Sequence, residues 1–179
     1  MIISASRRTD IPSYYSEWLV NRLKEKYVLV RNPMNIHQVS KIDLSPDVVD
    51  AIVFWTKNST PMLSYLDQIN DYTYYFQFTL SAYGPDVERN LPSKNKIIIP
   101  TFQQLSKEIG KEKVIWRYDP IFFNEQYSIE YHCKYFEVLA SKLGDYTEKC
   151  TVSFMDMYRN TERNVKLLSI VKDTYEMSE

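Results

Sequence analysis

The 179-residue chain is 44% hydrophobic and 25% charged, a balance that suits one globular domain with a sizeable core. A net charge of −1 argues against a protein that coats nucleic acid by bulk electrostatics, though a local basic patch is compatible with it. Only three glycines occur, Gly84, Gly110 and Gly144, far apart. That spacing excludes a Walker loop and a dinucleotide fingerprint, so any phosphate must be held by side chains or helix N-termini.

The opening MIISASRR turns from apolar to charged too soon for a signal peptide or a membrane span. Ile2–Ala5 is a first strand. Ser13–Lys26 follows with helical spacing, Trp18, Leu19 and Leu23 falling on adjoining turns, and Pro12 suits its first turn. Tyr27–Val30 is a second strand, and 38–44 adds a short irregular one. Ala51–Trp55 is next, then a helix over Pro61–Ile69 with Ser59 or Thr60 as its cap. Thr73–Leu80 alternates, with Tyr74, Phe76, Phe78 and Leu80 on one face and Thr73, Tyr75, Gln77 and Thr79 on the other. A helix over Thr101–Ile109 ends at Gly110, and Pro100 starts or kinks it. Val114–Tyr118 is a strand. Ser128–Leu143 is a helix closed by Gly144, and both glycines suit a left-handed C-terminal cap. Cys150–Phe154 is the last strand, and Thr161–Val171 is a final helix.

This alternation predicts an α/β fold, a partial (β/α) TIM-barrel-like parallel sheet of about six strands with helices outside. An open doubly wound sheet is the competing architecture. Residues 1–179 are read as one domain. A complete eight-unit barrel usually needs about 250 residues, so the domain is expected to be incomplete at its C-terminal side. Exposed first and last strands would then be covered by the terminal helix or by a second copy in a homo-oligomer.

Ligands of parallel α/β proteins sit at the C-terminal ends of strands. Those ends carry Arg7, Arg8 and Asp10; Arg31 and Asn32; Thr56, Lys57 and Asn58; Gln77 and Thr79; Arg117 and Asp119; and Ser153, Asp156 and Arg159. Six bases (Arg7, Arg8, Arg31, Lys57, Arg117, Arg159) face three acids (Asp10, Asp119, Asp156) in a chain whose total is −1. A shared, positively charged mouth follows. Arginine forks suit phosphate or carboxylate. Asp10 and Asp119 are the candidate acid/base groups, and Arg7, Arg8, Arg31, Asn32, Lys57, Asn58, Gln77, Arg117, Asp156 and Arg159 the candidate substrate contacts. Such charges also form structural ion pairs and caps, and that reading stays open for each residue. Cys133 and Cys150 lack a CxxC arrangement and read as buried thiols in a reduced, cytoplasmic compartment. His37 and His132 read as bystanders, no Cys/His metal site has workable spacing, and no GxSxG elbow is present.

The stretches SASRRTDIP, YVLVRNP, VFWTKN, YYFQFTL, VIWRYDP and EKCTVSFMDMYR together resemble the bacterial domain of unknown function 1848, over nearly the whole chain. The resemblance carries no established reaction. It implies longer members ending in a cysteine-rich segment, similar to segments that hold an iron–sulfur cluster in radical-type enzymes. This sequence reaches Glu179 without one, so it is expected to be a truncated member with no cofactor of its own. A cluster would enter only with a longer C-terminal segment.

Three functions compete. One is the substrate-binding part of an enzyme acting on a small anion. The second is a nucleic-acid module, which the basic rim and fifteen tyrosines suit and the overall charge disfavours. The third is an inactive remnant.

Overall fold

A computed structural model describes residues 1–5 and 9–155. The elements in chain order are β1 (Ile2–Ala5), α1 (Ile11–Tyr14), α2 (Ser16–Glu25), β2 (Tyr27–Asn32), β3 (Asn35–Asp43), β4 (Ala51–Thr56), α3 (Thr60–Leu63), β5 (Tyr74–Thr79), α4 (Ile99–Ile109), β6 (Val114–Ile121), α5 (Ile129–Leu143) and β7 (Cys150–Phe154). The architecture is mixed α/β, with a five-stranded sheet in the order β1-β4-β5-β6-β7 and a separate β2-β3 pair. The β1/β4, β4/β5 and β6/β7 pairings are parallel. The chain divides into two compact units, Met1–Phe78 and Thr79–Glu179.

In the first unit, Asp10 caps α1 by accepting from Ser13 N at 2.9 Å, and Pro12 occupies the first turn. The single helix expected over 13–26 is broken at Tyr15, whose φ of −136° is not helical, and α2 restarts at Ser16. The restart turns Leu19, Val20 and Leu23 inward and leaves Trp18 exposed. Lys26 ends α2 at φ 61°, a left-handed conformation usually left to glycine. The chain then enters β2.

Here the sequence expectation needs correction. Tyr27–Val30 does not join the parallel sheet. It pairs antiparallel with β3, from Tyr27 against Asp43 to Asn32 against Asn35, with an irregularity between Arg31 and Asn32. A short turn at Pro33–Met34 joins two adjacent strands, and antiparallel neighbours are what so short a connection permits. The helix expected over 61–69 is also interrupted, into α3 and a 3-10 turn at Leu66–Ile69. Its apolar positions still work, since Met62, Leu66 and Ile69 are buried. They accompany Ile52, Phe54, Tyr74 and Phe76 in the core, where Phe54 and Phe76 stack at 4.7 Å.

The alternation expected in β5 is observed, with Tyr74, Phe76 and Phe78 buried and Tyr75, Gln77 and Thr79 half-buried. In the second unit, β6 repeats the pattern, burying Val114, Trp116 and Tyr118 and half-burying Ile115 and Arg117. The Trp116 indole N–H donates to Leu80 O at 2.8 Å, and the ring stacks on Phe136 at 5.0 Å. A π-helical turn at Lys94–Ile98 leads into α4, with Pro100 in the first turn of α4 where a missing N–H does no harm. Phe102 and Leu105 of α4 and Leu139 and Leu143 of α5 are buried. Gly110 has a positive φ, 95°, but its ψ of 142° is not that of the left-handed helical cap expected from sequence. Gly144 has a negative φ; at −56° it runs on into a 3-10 turn over Gly144–Tyr146. The helix expected at Thr161–Val171 lies outside the described residues.

Candidate functional site

In the first unit the polar network gathers on Asp10. One carboxylate oxygen accepts from Ser13 N; the other accepts from the Thr56 hydroxyl at 3.0 Å and from Lys57 N at 2.8 Å. Thr56 Oγ1 in turn accepts from Asn58 N at 3.0 Å, and the Ser13 hydroxyl donates to Asn58 O at 2.7 Å. The Asn58 side-chain oxygen accepts from Thr60 N and from the Thr60 hydroxyl. Asp10 therefore ties the loop after β1 to the end of β4, using donors that carry no net charge. Asp10, Lys57 and Asn58 come together, Lys57 and Asn58 through their backbone N–H groups. Ser13 and Thr60, which complete the network, were not among the expected site residues; the Ser13 hydroxyl reaches Asn58 O across 45 residues of sequence, which no local pattern marks.

Arg31 and Asn32 were expected at the end of a sheet strand. They close β2 beside its turn into β3 instead, where the Asn32 amide donates to Gln38 Oε1 at 2.7 Å and Asn32 Oδ1 accepts from Met34 N at 2.9 Å. Arg7, Arg8, Asp156 and Arg159 lie outside the described residues. Gln77 lies on the half-buried face of β5.

In the second unit, Arg117 and Asp119 sit two residues apart on β6. Arg117 Nε donates to Asp119 Oδ1 at 3.1 Å, and Nη2 donates to Oδ2. The pair is largely enclosed, the side chains being 18% and 11% exposed. The Ser153 hydroxyl of β7 donates to Asp119 Oδ2 at 3.3 Å. Parallel pairing sets Arg117 beside Thr151, which brings Ser153 to the Asp119 end of β6. The inward-facing arginine thus has the acid partner that an enclosed charge requires. Cys150 starts β7, and burial pushes its thiol above the ordinary range, which makes it a weak nucleophile.

A tyrosine framework fixes the segments just beyond β5 and β6. Tyr83 donates to Pro120 O at 2.8 Å and accepts from Phe122 N at 2.9 Å. Tyr127 donates to Asp86 at 2.6 Å and accepts from Gly84 N at 3.0 Å. A Cβ at Gly84 would come within 2.7 Å of the Asp86 carboxylate, so the residue must stay small for this contact. Burial and the Asp86 bond push the Tyr127 hydroxyl up to about 12, and burial raises Tyr83 and Tyr118 as well, so all three stay protonated donors. His132, a bystander by sequence, is buried with Nδ1 2.9 Å from the Tyr118 hydroxyl and Nε2 3.1 Å from Phe122 O. A carbonyl only accepts, so Nε2 carries the proton and Nδ1 accepts from Tyr118. Burial pulls the His132 pKa below its ordinary value, which favours that neutral form. Lys94 donates to the carbonyls of Ser81 and Tyr83 at 2.8 and 2.5 Å and pairs with Glu88 at 2.5 Å.

Two hydroxyls are exceptions to this complete pairing. Ser59 Oγ, three residues past β4, and Ser81 Oγ, two past β5, are buried without a hydrogen-bond partner among the described residues. A buried orphan hydroxyl costs about 1–3 kcal/mol.

Parallel strands capped at their C-terminal ends by charged and hydroxyl-bearing residues define the class, an α/β protein with its polar chemistry on the strand-end loops. Within it, the chain belongs to the family described as domain of unknown function (DUF1848), which matches residues 2–179. No curated protein and no solved structure matches the chain. The iron–sulfur cluster that the resemblance suggests does not fit the described residues. No group of three potential metal ligands occurs among them, Cys133 lies exposed on α5 and Cys150 starts β7.

Proposed function

We propose that the strand ends bind a small phosphate- or carboxylate-bearing anion, and that the chain is the substrate-binding part of an enzyme built on a (β/α) barrel-like sheet. The observation that carries this reading is the Arg117–Asp119 pair. A guanidinium carries its N–H donors in one plane, and the two bonds to Asp119 fix the orientation of that plane. A fork held in a largely enclosed position meets an anion with little loss of side-chain freedom. Asp119 acts as the orienting group, with Ser153 on its second oxygen. In the first unit, Asp10 sets the backbone from which Lys57 projects. Free thiols at Cys133 and Cys150 support a reducing, cytoplasmic compartment; among the described residues no helix is long and apolar enough to cross a membrane.

Thermal melts in phosphate and sulfate, against chloride at matched ionic strength, test the proposal. A ligand that binds only the native state must raise the midpoint with concentration. The rise should vanish in Arg117→Ala and in the double variant Arg8→Ala/Arg117→Ala. No rise in the parent, or an undiminished rise in the double variant, would sink the assignment.

A further inference from the structure

The segment joining α2 to β2 forms a second feature, made of residues that play no part at the strand ends. Trp18 and Arg22 are four apart on α2 and share one face of it. Tyr27 and Leu29 share one face of β2. Leu29 stands opposite Lys41 across the β2-β3 pair, which puts Lys41 on that same face. Trp18, Arg22, Tyr27, Val28 and Leu29 line a cavity of about 260 Å³. Trp18 is 45% exposed and Leu29 60% exposed, although both are large apolar side chains.

The charges point one way. The Arg22 guanidinium lies 5.9 Å from the centre of the Tyr27 ring, and Lys41 Nζ lies 4.5 Å from it. Neither cation has a hydrogen bond or an ion pair among the described residues. The acids near this face are Asp43, opposite Tyr27, and Glu25, one turn beyond Arg22 on α2; Lys26 is a third cation, close enough to act on Asp43. Its carboxylate is taken up by Ser45, accepting from the backbone N–H at 2.8 Å and from the hydroxyl at 2.7 Å, and those bonds hold its pKa below the usual range. Asp43 therefore stays charged, and with Glu25 it offsets two of the three cations Arg22, Lys26 and Lys41. The cleft combines an accessible indole, an apolar floor and a surplus positive charge.

We infer that the cleft between α2 and β2 binds a flat aromatic ring that carries a carboxylate. The ring would lie against Trp18 and Leu29, and the carboxylate would take the Arg22 fork with Lys41 behind it. The volume suits a one- or two-ring group and is too small for a drug-sized molecule. Such a group is presented either by a free aromatic acid or by the C-terminal residue of a peptide.

Titration with indole-3-acetate, followed by the Trp18 indole N–H resonance, tests this. The expected result is saturable binding that weakens about tenfold or more in Arg22→Ala, the scale of one charge-assisted hydrogen bond, with partial recovery in Arg22→Lys. The neutral analogue 3-methylindole should bind about tenfold more weakly. Gly-Gly-Trp with a free C-terminus, run beside indole-3-acetate, separates the two sources, and saturable binding of either supports the site. Arg22→Ala is expected to fold, because it removes no hydrogen bond, and its unchanged melt is the control. Failure of both probes to saturate, or equal binding by 3-methylindole, would overturn the inference. So would binding that survives in Arg22→Ala but is lost in Arg117→Ala, because that pattern would place the probe at the strand ends.

Discussion

The carboxylate of Asp10 meets two backbone N–H groups and a hydroxyl; that of Asp119 meets a guanidinium and a hydroxyl. Sequence offers no distinction between them, since each stands two residues past an arginine at the end of a strand expected from sequence, Arg8 for Asp10 and Arg117 for Asp119. The partners separate their roles. Neutral donors fix a carboxylate as a fastener between two loops, and its removal frees backbone that water can largely re-solvate. A charged partner makes the carboxylate half of an ion pair, and its removal leaves an enclosed cation behind. The first unit uses its strand-end acid to shape a loop, whereas the second uses its own to aim a side chain.

Substitutions can break this contrast. The largest effect is expected from Asp119→Ala, about 3 kcal/mol in urea unfolding, because Arg117 is then stranded in a largely enclosed position. Asp10→Ala should cost about 1–2 kcal/mol, the range of a lost helix cap. The amide variants sharpen the test. Asn keeps one accepting oxygen for the cap but sets an NH2 group against one side of the Asp10 network, so Asp10→Asn should cost about 1–1.5 kcal/mol, while Asp119→Asn loses the ion pair and should cost at least about 2 kcal/mol. Equal costs for the two amide variants would erase the distinction.

A smaller effect concerns acid. His132 has a folded pKa depressed by burial, so the unfolded chain takes up a proton that the native state resists. Stability from this residue is complete above the unfolded value of about 6.5 and falls as pH drops toward the folded pKa, by at most about 1.4 kcal/mol per pH unit. Urea titrations of the parent and of His132→Gln at pH 7.5 and 5.5 should differ in slope, the parent losing more. Parallel slopes would mean that His132 titrates alike in both states. Ser153→Ala is expected to be the mildest change, about 0.5–1 kcal/mol, read as a small shift in the urea midpoint.

The sheet was legible where alternation is strict. Tyr74, Phe76 and Phe78 in β5, and Val114, Trp116 and Tyr118 in β6, show their buried face in the residue types alone. The β2 strand was misplaced because Tyr27–Val30 is as apolar as a buried strand, yet Leu29 and Val30 are exposed on a two-stranded ribbon. Composition does not say which partner a strand takes. Asp10, Lys57 and Asn58 could be grouped from their positions after β1 and β4. Ser13, Tyr83 and His132 could not, since their roles depend on hydrogen bonds to chain segments far off in sequence, such as Tyr83 to Pro120. The pairing of Arg117 with Asp119 was readable from the period of two; its enclosure was not.

The turn between β2 and β3 has a practical use. Met34 at its tip is 92% exposed, and its backbone N–H is held by the Asn32 side chain, so the loop keeps its shape without help from the methionine side chain. Replacing Met34 by cysteine would give a reporter position where a fluorophore or spin label adds bulk only to solvent. Cys150 is half-buried with a raised pKa and would react slowly, so only the exposed Cys133 would need removal first. Attached there, a dye would report tumbling and complex formation in solution while leaving Asp10, Arg117 and the α2/β2 cleft chemically untouched.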